Sequence, residues 1–289
     1  MMTIFEEVRA QYGSAFDAAF ARNVVDALAE DVGSGDHTGR LVPVDVRRAA
    51  RIIVREDAVL CGAPWFDEVM RCVEPSIEVE WQYREGDRMA ANTPVVLLHG
   101  PVRSLLTAER NGLNFVQLLS GVASATRRYV DAIEGTRARV LDTRKTLPGL
   151  RLAQKYAVRV GGGANQRLAL YDGILIKENH IAAAGGVAAA MDAALALNAG
   201  VPIQIEVETL EQLETALTYR AESILLDNFT LDAMRDAVRI TAGRALLEVS
   251  GGVSFDTVRA FAETGVDRIS IGALTKDVRA TDFSMRLIV

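Results

Sequence analysis

The sequence predicts an α/β protein whose larger part is an incomplete β/α barrel of six or seven strands, preceded by a smaller α+β portion. Three observations carry this reading. Beyond residue 135, short apolar runs recur, each followed by a helical segment. Those runs are continuous rather than alternating, as parallel strands buried on both faces require. The first hundred or so residues instead combine helical segments with β-branched and alternating runs.

Taken in order, Phe16 to Ala29 suits an amphipathic helix, and EDVGSGDHT after it is a Gly/Asp-rich turn. Arg51 to Leu60 is rich in β-branched residues, Ile77, Val79, Trp81 and Tyr83 alternate with polar neighbours, and Pro94 to His99 is a further apolar run. Gly86-Asp87 supplies a turn between two of them. Ser104 is placed to N-cap a long helix reaching Gly135, within which Gly112 and Gly121 are weak helix formers. Six strand candidates follow: ARVLDT, GILIKEN, IQIEVE, SILLDNF, LLEVSGG and RISIGAL. The division expected is an N-terminal domain over 1–115 and a catalytic barrel over 116–275, with the tail 276–289 packing on the former.

The chain has 289 residues, 49% hydrophobic and 24% charged, as expected of a folded protein with a sizeable core. Its apolar runs are too short and interrupted for a bilayer span, and the N-terminus lacks the basic and apolar regions of a signal peptide. A cytoplasmic location is expected, without a membrane partner. Cys61 and Cys72 lack CxxC spacing and are expected to be plain packing residues outside any disulfide. A net charge of −6 argues against a nucleic-acid partner, yet Arg137 to Arg167 holds eight basic residues and one acid, Asp142. Arg151, Lys155 and Arg159 lie at helical spacing and read as a solvated face. The remaining cations suit small anionic substrates, because the interleaved aromatic rings of a single-strand binder are missing.

Each strand candidate ends in polar or tiny residues: Asp142 to Lys145, Lys177 to Asn179, Glu206 and Glu208, Asp227 and Asn228, Ser250 to Gly252, and Gly272. In β/α barrels the loops after the strands converge around one mouth, so the pattern points to a shared site. SGG and SIG, closing the last two strands, allow backbone N–H groups to approach a phosphate, aided by the helix that follows each. Glu206 and Asp227 close neighbouring strands and can hold Mg²⁺ or accept hydrogen bonds from ribose hydroxyls; Glu208 has the same parity as Glu206. Lys177, after four apolar or small residues, is either a cation for carboxylate and phosphate or a Schiff-base amine. The neighbouring Arg144, Lys145 and Arg167 favour the first. His180 is equally suited to capping or to catalysis. GGGANQR follows a helical stretch rather than a strand, so it is no dinucleotide fingerprint, and Gly161 is expected to cap that helix.

These residues also carry a resemblance. DTRKTLPGLRLAQKYAVRVGGGANQRLALYDGILIKENHI resembles the quinolinate phosphoribosyltransferases, the carboxylating nicotinate-nucleotide pyrophosphorylases. EDVGSGDHT, AERNGLNFVQLLSG, IEVE, LLDNF, EVSGG and ISIGALTK extend the likeness over most of the chain. It implies an N-terminal open sandwich joined to the incomplete barrel, and a homodimer in which one subunit covers the other's barrel mouth, with higher assembly left open. It implies phosphoribosyl transfer from phosphoribosyl pyrophosphate to quinolinate, with decarboxylation and without an organic cofactor. Arg144, Arg167 and Lys177, with Thr143, Gln166 and Arg110 of the partner subunit, would bind quinolinate. Lys145 would lie between quinolinate and the pyrophosphate; Glu206 and Asp227 would hold the ribose hydroxyls and Mg²⁺; Ser250, Gly251, Gly252 and Gly272 would hold the 5′-phosphate. Lys145, Lys177, Glu206 and Asp227 would form the catalytic set. Many family members have His where this chain has Gln166, which cannot carry charge. Two rivals are a Schiff-base lyase or aldolase using Lys177, and a non-catalytic molybdate-associated paralogue.

Overall fold

The computed structural model describes residues 2–288 and divides into two compact units, one built from 2–127, 146–162 and 274–288, the other from 128–145 and 163–273.

The first unit opens with helices α1 (Ile4–Tyr12) and α2 (Ser14–Asp31). Thr3 caps α1 through a reciprocal box with Glu6. A single 3-10 turn, Gly39–Leu41, leads to β1 (Arg47–Val54), β2 (Ala58–Val59), α3 (Ala63–Val73), β3 (Glu78–Trp81), β4 (Arg88–Met89) and β5 (Pro94–Pro101). The long helix α4 (Val102–Ala132) follows and crosses the boundary expected at 115/116. Ser104 therefore sits inside this helix and does not cap it. Gly112 and Gly121 do not interrupt it either, because both are packing glycines. A Cβ at Gly112 would lie 2.7 Å from the Phe66 ring, and one at Gly121 would meet the Arg279 carbonyl.

Later chain completes this unit: α5 (Arg151–Val160) and, beyond the barrel segments, β12 (Phe283–Ile288). The antiparallel sheet runs β12-β1-β5-β3, with β2 and β4 paired separately. Its core gathers Phe16, Trp65, Phe66, Leu98, Leu105, Leu119 and Tyr156. Lys155 is wholly buried, which corrects the solvated-face reading of α5. Its neighbours along the helix, Gln154, Tyr156, Ala157 and Val158, are buried too, so α5 is an interior helix with little solvent face.

The second unit contains β6 (Arg139–Leu141), β7 (Ile174–Ile176), α6 (Glu178–Ala184), α7 (Val187–Ala196), β8 (Ile203–Val207), α8 (Leu210–Thr218), β9 (Ser223–Asp227), α9 (Leu231–Thr241), β10 (Leu246–Ser250), α10 (Val258–Ala262) and β11 (Arg268–Ser270); α11 (Ala273–Lys276) starts at its end. All six strand candidates are strands. Their order is β6-β11-β10-β9-β8-β7, every pair parallel, so the first strand closes onto the last. No ladder joins β6 to β7 among the described residues; Leu141 makes one bridge to Ala164 instead. The result is the incomplete six-stranded barrel. No described helix is long and apolar enough to cross a membrane.

Candidate active site

Parallel pairing brings the ends of β6 to β11 to one side of the sheet, and with them the predicted residues of the second unit. Ser250 pairs in register with Asp227, and Val207 with Leu226, which sets Glu206, Asp227 and Ser250 on three adjacent strands. Lys177 follows β7 directly, and its Nζ lies 3.1 Å from Glu206 Oε2. Burial raises the Glu206 carboxyl; Lys177 opposes this, and the nearby Asp227 charge adds to it. Glu208 is exposed beyond the end of β8, so the geometry separates two acids of equal parity. His180 Nδ1 accepts from the Lys177 backbone N–H at 3.0 Å, which assigns it the capping role at the start of α6.

Arg144 and Arg167 lie near enough for the Arg144 charge to lower the proton affinity of Arg167, after the larger effect of burial. Arg167 Nη1 donates to the Gly173 carbonyl at 2.7 Å. Arg144 Nε is buried without a hydrogen-bond partner. Two mutually repelling guanidiniums with an unmet buried donor are an electrostatic demand for an anion. Thr143 Oγ1 accepts from the Lys145 N–H at 3.1 Å. A Cβ built on Gly272 would meet Lys145 Cδ at 3.1 Å, so the missing side chain leaves room for Lys145 to lie across the end of β11. Gly251 and Gly252 have φ of +90° and +62°, and a Cβ on Gly251 would meet Asn228 Oδ1. The helix expected behind SGG is absent at that point: the chain turns through 251–257 before the short α10, so a helix dipole does not reach these glycines.

Arg110 is exposed on α4, in the first unit. Gly161 is the expected C-cap of α5, and its small size also serves packing, since a Cβ there would lie 2.6 Å from the Ala123 carbonyl oxygen. Cys61 is buried and Cys72 exposed, both free, so only Cys61 is the packing residue expected. Cys72 instead contacts Glu68 and Arg71 on the surface.

One group escaped the sequence reading. Gln204, Glu248 and Ser270 are buried, the first and last both donating to Glu248, and each stands two residues before a predicted site residue: Glu206, Ser250 and Gly272. The period of two along a strand places them on the same face, one layer below the mouth, and that spacing was the available signal.

Residues 36–120 match the family model of the quinolinate phosphoribosyl transferase N-terminal domain, and residues 122–286 that of its C-terminal domain. A carboxylating nicotinate-nucleotide pyrophosphorylase of Mycobacterium leprae is 42% identical over 281 residues, covering 94% of this chain and 98% of its own. A chloroplastic one of Oryza sativa subsp. japonica is 39% identical, covering 90% and 76%. The solved nicotinate-nucleotide pyrophosphorylase of Francisella tularensis superimposes with a TM-score of 0.91 at 44% identity, over 94% of this chain and 96% of that one. With both domain models matched in chain order and near-complete coverage by these relatives, the chain belongs to the quinolinate phosphoribosyltransferase family.

Proposed function

We propose that the chain joins quinolinate to the phosphoribosyl group of phosphoribosyl pyrophosphate, releasing pyrophosphate and carbon dioxide and yielding nicotinate mononucleotide. The observation that carries this is the Arg144–Arg167 pair, two guanidiniums with an unmet buried donor beside a carboxylate-lined mouth. A pyridine dicarboxylate supplies the two anionic groups such a pair lacks. Thr143, Gln166, Lys177 and the partner subunit's Arg110 would complete that pocket. Glu206 and Asp227 would accept from the ribose hydroxyls, while Ser250, Gly251, Gly252 and Gly272 would receive the 5′-phosphate.

The chemistry follows from this distribution of charge. As the bond from ribose C1 to pyrophosphate breaks, positive charge grows on C1, and the carboxylates of Glu206 and Asp227 stabilise it. Lys145 and Lys177 offset the negative charge on the departing oxygens. The pyridine nitrogen forms the new bond to C1 and becomes a pyridinium. That ring accepts the electron pair when the adjacent carboxylate leaves as carbon dioxide, and the ring carbon then takes up one proton. A shared homodimer site would exclude water from the donor.

Among the described residues no group of three or more His, Cys, Asp or Glu is disposed to hold a metal. Two acids with hard oxygens fit Mg²⁺ nonetheless, because that ion keeps waters and substrate phosphates in its shell. Glu206 and Asp227 would hold it, and when bound it would neutralise charge on the leaving pyrophosphate. Lys177 is ion-paired with Glu206, the setting of a cation rather than of a Schiff-base amine, so the lyase reading lacks support. A cytoplasmic location completes the proposal.

The test is to mix the protein with quinolinate, phosphoribosyl pyrophosphate and Mg²⁺ and to quantify mononucleotide and carbon dioxide. Equal amounts of both are expected. Absence of the mononucleotide would overturn the assignment and favour the non-catalytic paralogue.

A further inference from the structure

A fully buried carboxylate lies beneath the mouth. Glu248, on β10, has no exposed surface, and no step above uses it. Its two oxygens accept from Gln166 Nε2, each at 2.9 Å. Oε2 also accepts from Gln204 Nε2 at 2.9 Å, and Oε1 from the Ser270 hydroxyl. Gln204 reaches Ser223 Oγ at 3.0 Å, so β8, β9, β10 and β11 each contribute a member to one layer.

The layer is directional. Both Glu248 oxygens accept, so the NH₂ ends of Gln166 and of Gln204 face them. Gln204 Oε1 then accepts from Gln166 Nε2 at 2.8 Å. This leaves Gln166 Oε1 turned the other way, where it accepts the Arg167 backbone N–H at 2.8 Å. The Gln166 N–H is held in turn by Asp142 Oδ1 at 2.9 Å, and Asn165 Nδ2 donates to Asp142 Oδ2 at 2.6 Å. Asp142 is also fully buried. Two buried acids thus clamp residues 165–167 from the strand side, one through the backbone and one through an oriented amide.

We infer that Glu248, with Gln204 and Ser270, is a positioning residue for the dicarboxylate pocket: it orients the Gln166 amide, which fixes the backbone of Arg167 and aims its guanidinium. Gln166 then serves first as the link between the barrel floor and Arg167. A neutral amide offers its NH₂ group to Glu248 and Gln204 and its oxygen to the Arg167 N–H in a single planar group, with no dependence on its protonation. Every group that faces Glu248 in this layer donates to it, which sets the amide's direction.

The inference rests on the proposed function for its readout, and Glu248→Gln tests it. This variant keeps size and removes the pure acceptor, so one amide must turn its NH₂ group toward another, and the link to Arg167 is weakened. The expected result is a rise of about tenfold or more in KM for quinolinate, with KM for phosphoribosyl pyrophosphate within about twofold of wild type. Gln166→His supplies the second arm: its neutral ring can donate to Glu248 through one nitrogen and accept the Arg167 N–H through the other, so this variant's quinolinate KM should rise as pH falls and the protonated imidazole loses its acceptor, a dependence the wild-type amide cannot supply. Equal changes in both KM values, or none, would overturn the positioning role. If Glu248→Gln does not fold, Ser270→Ala removes one donor and should raise the quinolinate KM alone by about threefold; an unchanged value there would overturn it too. A wild-type protein that makes no mononucleotide would sink the proposed function instead, so the two failures are distinguishable.

Discussion

Replacing Glu85 with Gln should make the protein more stable at pH 8 by about 3 kcal/mol, and almost unchanged near pH 5. Glu85 lies in the first unit, where its Oε1 accepts the N–H groups of Gly62 and Ala63 at 2.7 and 2.6 Å. Its Oε2 is buried without a hydrogen bond. Burial pushes the carboxyl up to about 7 from an ordinary 4.5, against the lowering effect of those N–H groups and of the neighbouring Tyr156 and Cys61. Both neighbours are themselves raised well above their usual values by burial and by the Glu85 charge, so neither offers a counter-charge. The folded value lies above the unfolded one. Between pH 4.5 and about 7 the folded protein therefore holds a proton that the unfolded chain has lost. Stability falls as pH rises through this window and levels off above it. At about 1.4 kcal/mol per pH unit, the window is worth about 3 kcal/mol. A neutral amide keeps an acceptor for Gly62 and Ala63 and escapes this loss. The assay is urea unfolding between pH 5 and 8, followed by tryptophan fluorescence. Trp65 reports directly, being buried 5.3 Å from the Tyr156 ring. A stability difference between variant and wild type that does not change with pH, or that changes in the opposite sense, would refute the reasoning.

Arg144→Ala and Lys145→Ala should each lower kcat/KM by about a hundredfold or more, and Arg151→Ala by about threefold at most; equal losses in steady-state assays would show that the two arginine positions do not differ in function. Arg110→Ala should weaken quinolinate use with an unchanged melting temperature, because the side chain is exposed; unaltered kinetics would remove it from a shared site. In Lys177→Met, Glu206 loses the cation that opposes its burial and the Asp227 charge, so its carboxyl gains its proton at higher pH. The acid limb of the pH–rate profile should then move upward, and a limb that stays in place would show that another group sets it. Gly121→Ala should destabilise the protein by about 1–3 kcal/mol in denaturant melts, since the new methyl meets the Arg279 carbonyl.

Much of the second unit was legible in the chain. Parallel strands covered on both sides must be apolar throughout, so ARVLDT, GILIKEN and the four later runs announced themselves, and their polar ends marked the mouth. Less was legible where two residues share a pattern. Glu206 and Glu208 have one parity, and only the end of β8 at Val207 separates the buried, Lys177-paired acid from the exposed one. Gln204, Glu248 and Ser270 carried the right spacing but lay among strand residues that read as core.

The amino-acid order by itself determined the α/β class, the strand positions and the chemical inventory of the mouth, because these depend on local periodicity and on which side chains close each strand. Tertiary structure decided the rest. Lys155 falls at the spacing of a solvent face yet is buried, since α5 enters the interior of the first unit. Gly112 and Gly121 leave α4 unbroken, because neighbouring groups occupy the space where their side chains would be. Residues 146–162 and 274–288 join the first unit although they are distant from it in sequence. Burial, contact and charge compensation are sums over neighbours that the chain brings together only when folded, and no local pattern contains them.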